Sequence, residues 1–211
     1  MSPPRLIVIT DRRLAAPRSV RDVVISALEA GAPMIQLRDK AATARALYEQ
    51  ALELVPLVHG HGAALVINDR LDVALAAGAD GVHLGPDDLP VTAARRIVPP
   101  SFIVGYSTDD IDRARDAARA GASYIGCGAV FGTTSKAVGD ERIGTARLDE
   151  VAGAVGVPVI GIGGVNVDNV AEVAATRAAG VAVVGAVMAA TDPAAAVARL
   201  LAAFARDDAA R

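Results

Sequence analysis

The sequence predicts an α/β protein, a closed (β/α)8 or TIM barrel formed as one domain over residues 1–211, on three observations. Short apolar, β-branched runs alternate with helical stretches eight times, which argues for a parallel sheet covered by helices. No Pro/Gly/Ser linker and no compositional break divides the chain, and eight such units close a barrel more readily than they build an open doubly wound sheet. The polar residues cluster immediately after the strands, at the end that carries the chemistry in barrels, whereas ordinary surface polarity would scatter them over both ends.

The first strand is RLIVIT (5–10), ending in Asp11, and a helix follows from Val20 to Ala30, closed by Gly31. PMIQL (33–37) is the second strand. Thr43 caps a long amphipathic helix running to about Val58, with Pro56 able to kink or shorten it. The stretch VINDRLDVALAAGADGVHLGPDD (66–88) reads as strand, short helix and strand. Its apolar run 64–67 stops at Asn68-Asp69, and its second run, 81–84, stops at Gly85-Pro86 and Asp87-Asp88. Val91 to Val98 is helical, and SFIVGY (101–106) is the fifth strand, followed by Ser107. The acidic run DDID opens the next helix, which reaches Gly121. SYIGC (123–127) is the sixth strand, and a long loop, 128–144, precedes a helix over 147–154. VPVIG (157–161), a helix over 167–175, a strand over 181–184 and a closing helix over 193–204 complete the count.

Composition excludes several classes of function. Net charge is −3 with both signs mixed throughout, which offers no nucleic-acid groove and no polybasic membrane patch. One cysteine, Cys127, allows no internal disulfide and no Cys-based zinc site, and it lies inside a strand pattern where packing explains it better than catalysis. His59, His61 and His83 lack metal-ligand spacing, and His83 reads as barrel wall rather than base. No apolar run approaches a membrane span and the N-terminus is no signal peptide, so a cytoplasmic protein is expected. Assembly as a homo-oligomer is left open.

The strand-end residues define a chemistry. A right-handed crossover brings the two strand ends of 66–88 to one side of the sheet, and with them Asn68, Asp69, Asp87 and Asp88. Carboxylates from two strand ends suit a hard cation that also holds phosphate oxygens, although Asp69 alone could equally be a helix cap. Arg38 and Lys40 offer a planar fork and a point charge to phosphate, and Gln36 shares their inward alternation. Thr133, Thr134, Ser135 and Lys136 add hydroxyls, amides and an ammonium in a loop long enough to act as a lid. Gly163-Gly164 and Val184-Gly185 match the bare-amide phosphate site that barrels build after their last two strands. Two phosphate regions and one metal site point to two phosphorylated substrates, one a diphosphate. The lack of a nucleophile at the strand ends favours metal- and cation-assisted loss of that diphosphate.

The motifs ITD (9–11), QLRDK (36–40), NDRLDVALAAGADGVHLGPDD (68–88), GYS (105–107), SYIGCGAVFGTTSK (123–136), PVIGIGGVN (158–166) and VAVVGAV (181–187) resemble, in family order, those of thiamine phosphate synthases. The resemblance implies a transferase that joins hydroxymethylpyrimidine diphosphate to a thiazole phosphate and releases diphosphate, with Mg2+ as cofactor. It implies Gln36, Arg38, Lys40, Asn68, Ser107 and Lys136 on the pyrimidine diphosphate, with Arg38, Lys40 and Lys136 assisting its departure. It implies Asp69 and Asp88 on Mg2+, and Thr133, Thr134, Ser135, Gly163, Gly164, Val184 and Gly185 on the thiazole phosphate. The chain departs from the family at Pro86 (usually Gln), Asp109 (often His), Gly132 (usually Pro), Ser135 (commonly Thr) and Gly185 (commonly Ser).

Two other functions compete. A thiazole tautomerase shares the barrel but has a relaxed metal and diphosphate site and a His near the GxS motif. Here Lys40, Asp69, Asp88 and Lys136 are present and that His is not. A non-catalytic sensor of thiamine intermediates would bind the same ligands without turnover.

Overall fold

A computed structural model describes residues 4–132 and 142–205. Eight parallel strands close into a barrel in chain order, each pairing with the next and the last with the first. The strands are β1 (Leu6–Ile9), β2 (Met34–Leu37), β3 (Ala64–Asn68), β4 (Gly81–Leu84), β5 (Ile103–Ser107), β6 (Tyr124–Cys127), β7 (Val159–Ile162) and β8 (Gly180–Val183). Among the described residues the helices are α1 (Arg12–Ala15), α2 (Val20–Glu29), α3 (Ala44–Gly60), α4 (Leu71–Ala77), α5 (Val91–Arg95), α6 (Ile111–Arg119), α7 (Gly144–Ala154), α8 (Val170–Ala174), α9 (Gly185–Met188) and α10 (Pro193–Ala205). The closed barrel confirms the expected fold class. None of these helices is long and apolar enough to cross a membrane.

Several ends differ from expectation for local reasons. Thr43 caps α3 by accepting from the Ala46 amide, and Pro56 does not stop the helix, which continues to Gly60. The helix expected over 91–98 ends at Arg95. α1 and α9 are single turns that no periodicity could announce. Asp11 nucleates α1 by accepting from the Arg13 and Leu14 amides.

Strand alternation splits the apolar residues into two cores. Leu6, Val8, Ile35, Leu37, Leu65, Ile67, Val82, Val104, Ile125 and Val183 pack outward against the helices. Ile7, Ile9, Met34, Ala64, Val66, Ile103, Tyr124, Ile160 and Ala182 fill the barrel interior. Gln36 shares the alternation of Met34 and is only 3% exposed, so it faces inward as expected.

The register makes one interior row polar. His83 pairs with Gly105, and Gly105 pairs with Tyr124. Because the middle residue has no side chain, the imidazole and the phenol meet across it, with ring centroids 5.4 Å apart. Gly81 is constrained differently: an added Cβ would lie 2.3 Å from the Ile103 carbonyl oxygen and 2.5 Å from Ile103 Cβ. Gly81→Ala must therefore part β4 from β5. We expect it to cost about 1–3 kcal/mol and lower the thermal midpoint by roughly 3–10 °C, read by calorimetry. An unchanged midpoint would show that the β4–β5 contact is looser than described.

Candidate functional site

The C-terminal end of β3 is bent to present a carboxylate. Asn68 is the last strand residue, opposite His83, and the Asp69 amide still donates to the His83 carbonyl at 2.8 Å. Asp69 then takes φ 65°, the one non-glycine residue with positive φ among those described. Asp and Asn tolerate this left-handed region better than other side chains do, and its cost is typically stored at functional sites. The helix-cap reading of Asp69 is not borne out. The residue before α4 is Arg70, and no side chain caps that helix.

After β4, Asp88 folds back so that its carboxylate accepts from the Gly85 amide at 2.6 Å. It also lies close enough to Asp69 to disfavour a second negative charge there. Burial first, and Asp88 second, hold the Asp69 carboxyl above its ordinary range, while Lys40, with Nζ 3.4 Å from Asp69 Oδ2, opposes them only in part. A carboxylate pair with unrelieved repulsion, at the mouth of a barrel and beside a lysine, is a donor set for a hard divalent cation. Among the described residues no group of three or more His, Cys, Asp or Glu could hold a metal, so such an ion would complete its shell with water and substrate oxygens. Asp87 and Pro86 are exposed, and Asp87 takes no part in the pair.

Arg38 and Lys40 leave β2 beside this pair. Thr10, just beyond β1 and buried, holds the chain there: its hydroxyl accepts from the Arg38 amide at 2.9 Å and donates to the Arg38 carbonyl at 3.2 Å. The strand pairing is thereby prolonged past its last ladder bond, and the direction in which Arg38 leaves is set. Thr10 was not singled out by sequence reasoning, since a Thr closing a β-branched run reads as strand. A cleft of about 220 Å3 is lined by Asp39, Lys40, Asn68, Asp69 and Arg70. A larger one, about 440 Å3, lies between α3 and α4, lined by Arg45, Tyr48, Glu49 and Asp72 among others, and includes none of the strand-end residues named here.

Inside the mouth, a hydrogen-bonded series crosses the barrel. Gln36 bonds to the Tyr124 hydroxyl, Tyr124 Oη lies 2.9 Å from His83 Nδ1, and His83 Nε2 lies 2.7 Å from Ser107 Oγ. The two residues expected on one substrate, Gln36 and Ser107, are thus joined through two that were not expected. His83 does form barrel wall, as anticipated, but wall with both ring nitrogens engaged.

Across the mouth, Gly163 and Gly164 follow β7 with φ 95° and 69°. A Cβ on Gly164 would lie 2.2 Å from the Gly132 carbonyl, and one on Gly163 2.6 Å from Ala129 Cα, so both must be glycine for the β6 and β7 loops to pack. Val184 and Gly185 follow the neighbouring strand β8, and Gly185 begins α9. A Cβ on Gly185 would meet only Leu14 Cδ1, at 3.9 Å, so the site has room for the Ser common in the family. Gly132 has φ 72°, which a proline ring forbids, so this chain leaves β6 by a path that the family's usual Pro could not take. Asp109 is exposed, with its carbonyl accepting from Arg147 at 3.0 Å. Burial, reinforced by Asp109, pushes the Cys127 thiol up to about 12, which removes it as a nucleophile. Thr133, Thr134, Ser135 and Lys136 lie outside the described residues.

Comparison with known proteins agrees with this geometry. The thiamine monophosphate synthase family profile matches residues 6–187. The chain is 50% identical over 189 residues to the thiamine-phosphate synthase of Roseiflexus castenholzii, covering 90% of this chain and 83% of that protein. It is 48% identical over 195 residues to that of Natronomonas pharaonis, covering 92% and 91%. Among solved structures, thiamine phosphate pyrophosphorylase from Pyrococcus furiosus superposes with a TM-score of 0.87 at 40% identity, over 96% of each chain. With its motifs, its barrel and its relatives in agreement from β1 to α9, the chain belongs to the thiamine monophosphate synthase family.

Proposed function

We propose that this protein joins 4-amino-2-methyl-5-(diphosphooxymethyl)pyrimidine to a thiazole phosphate, giving thiamine phosphate and diphosphate. The observation that carries this reading is the pairing of Asp69 with Asp88 beside Lys40, at the same barrel mouth as the Gly163-Gly164 and Gly185 loops. It gives one end suited to a metal-bound diphosphate and another suited to a monophosphate.

In this reading the pyrimidine sits over Gln36, Asn68 and Ser107, with its diphosphate toward Arg38, Lys40 and Lys136. Asp69 and Asp88 would hold Mg2+, which when bound would supply positive charge to neutralise the leaving diphosphate. The methylene carbon–oxygen bond breaks with its electron pair on diphosphate, leaving a cation that the aminopyrimidine ring delocalises. The thiazole nitrogen lone pair then forms the new carbon–nitrogen bond. Arg38, Lys40 and Lys136 stabilise charge that grows on the leaving oxygen, an effect larger in the transition state than in the ground state. Thr133, Thr134, Ser135, Gly163, Gly164, Val184 and Gly185 hold the thiazole phosphate by amides and hydroxyls, so that the nitrogen faces the methylene carbon. The family's reaction needs no nucleophilic side chain, consistent with the inert Cys127.

Purified protein given both substrates should release diphosphate and thiamine phosphate in equal amounts and stop when a chelator removes Mg2+. Binding of thiazole phosphate without turnover would instead favour a tautomerase or a sensor. Asp69→Ala should lower Mg2+-dependent turnover by at least about a hundredfold with circular dichroism unchanged; near-normal activity would remove Asp69 from the metal site. Lys136→Ala should lower kcat more than it raises the KM for thiazole phosphate. The reverse pattern would assign the 133–136 loop to the other substrate.

A further inference from the structure

The two cations that follow β2 are held in different ways. Lys40 is tied to Asp69, with Nζ 3.4 Å from Oδ2. Among the described residues no hydrogen bond or ion pair engages the Arg38 guanidinium, although Arg38 is half-buried. A long side chain without a partner is aimed only by its backbone, and the residue that holds that backbone is Thr10.

Thr10 lies one residue beyond β1 and is 1% exposed. Its amide donates to the Gln36 carbonyl at 2.9 Å, which carries the β1–β2 ladder one step further. Its hydroxyl then takes both backbone groups of Arg38, accepting from the N–H at 2.9 Å and donating to the C=O at 3.2 Å. These directions follow from chemistry, since an amide N–H only donates and a carbonyl only accepts. The two groups belong to the two peptide planes on either side of the Arg38 Cα. Tying both planes to one oxygen holds φ and ψ of Arg38 together, and with them the direction of its Cα–Cβ bond. Thr10 is itself stiff, because a β-branched side chain has few χ1 choices. Its one hydrogen is spent on Arg38, so the hydroxyl has none to give a ligand.

The residues after Arg38 are fixed by other contacts. Asp39 closes a turn, accepting from the Ala41 amide at 3.1 Å through Oδ1 and from the Ala42 amide at 3.2 Å through its carbonyl. Its Oδ2 lies 3.7 Å from Arg12 Nε. That turn and the Lys40–Asp69 pair place Lys40, so the Thr10 hydroxyl acts on one cation and not on the other.

We propose that Thr10 is a positioning residue for the reaction, holding the Arg38 backbone so that the guanidinium is aimed at the diphosphate. This inference rests on the functional reading above, in which Arg38 meets that group. A fixed starting point reduces the freedom that the side chain must lose on meeting the diphosphate, and charge growing on the leaving oxygen then finds a donor already in place. A threonine that served only strand pairing would have no such connection to Arg38.

Thr10→Val keeps the shape and removes the hydroxyl; Thr10→Ser keeps the hydroxyl. Thr10→Val should lower kcat roughly thirtyfold and leave the KM for thiazole phosphate unchanged, while Thr10→Ser stays within about threefold of wild type. In an Arg38→Gln background, Thr10→Val should add less than about a twofold further loss. Calorimetric titration with inorganic diphosphate at saturating Mg2+ gives a readout apart from turnover. There Thr10→Val should weaken binding roughly tenfold, and should have little effect once Arg38 is Gln. Equal losses with and without Arg38, a raised KM for thiazole phosphate, a Ser variant as poor as Val, or no binding of diphosphate by wild type would each overturn the proposal. Should Thr10→Val not fold, Thr10→Ala, which leaves room for water at the Arg38 backbone, carries the same comparison. Wild-type protein that binds diphosphate but releases none from the pyrimidine substrate would refute the functional reading instead, and the titrations would still decide whether Thr10 acts through Arg38.

Discussion

The site depends on two carboxylates held closer than they would choose. Asp69 reaches Asp88 because β3 and β4 are adjacent parallel strands whose C-terminal ends share one rim, and because Asp69 accepts a left-handed backbone to turn its side chain toward its neighbour. Asp88 is fixed in turn by the Gly85 amide. A fold optimised for stability alone would separate these groups or neutralise both. Here Lys40 relieves the repulsion only partly, and in the proposed function the remainder would be relieved by a divalent ion arriving with a diphosphate. The rest of the mouth follows from this placement. Arg38 leaves β2 on the same rim in a direction set by Thr10, and the glycine loops of β7 and β8 form the opposite side.

The barrel interior divides along its axis in a way that suits this arrangement. Its floor and walls are apolar, with Ile7, Met34, Ala64, Ile103 and Ile160 packed together. Toward the mouth it becomes polar, and the polar residues are linked rather than isolated. Parallel registry produces that link economically. A glycine on the middle strand of three lets the side chains of the outer two meet, which is how His83 and Tyr124 come into contact across Gly105. In a packed interior such a series holds its members in one geometry, because any other rotamer leaves a buried polar atom unpaired.

Much of this was legible in the amino-acid sequence. Buried parallel strands are short apolar runs cut off by turn residues, so all eight could be read within a residue or two of their ends. Their polar C-terminal residues marked the rim, and Asp69, Asp88, Lys40 and Gln36 were found there. What escaped reading had physical reasons. α1 and α9 are single turns, too short to show a helical period. The cap assignment for Asp69 could not be refused without knowing its φ, since an Asp before an apolar helical segment looks the same in either role. The His83–Tyr124 contact joins residues 41 apart and exists only through the register of three strands, which no local pattern encodes. Thr10 hid for a similar reason: its hydroxyl acts on a backbone 28 residues away. The relation of Thr133, Thr134, Ser135 and Lys136 to the rim stays within the functional proposal, because they fall outside the described residues.

The central claim is that the Asp69–Asp88 pair costs stability when bare and repays it on binding a cation. A carboxyl whose folded-state pKa is raised contributes stability that is present below its unfolded value, 3.8, and is lost as pH rises through the folded value. At neutral pH the bare pair is therefore a liability. The decisive measurement is the thermal midpoint of wild type and Asp69→Asn at neutral pH, each with and without Mg2+ plus diphosphate. Asn keeps the shape and tolerates the same backbone. The account predicts that the variant melts higher than wild type without ligands, and that only wild type gains markedly on their addition. A variant that melts lower when bare, or that gains as much as wild type, would contradict it.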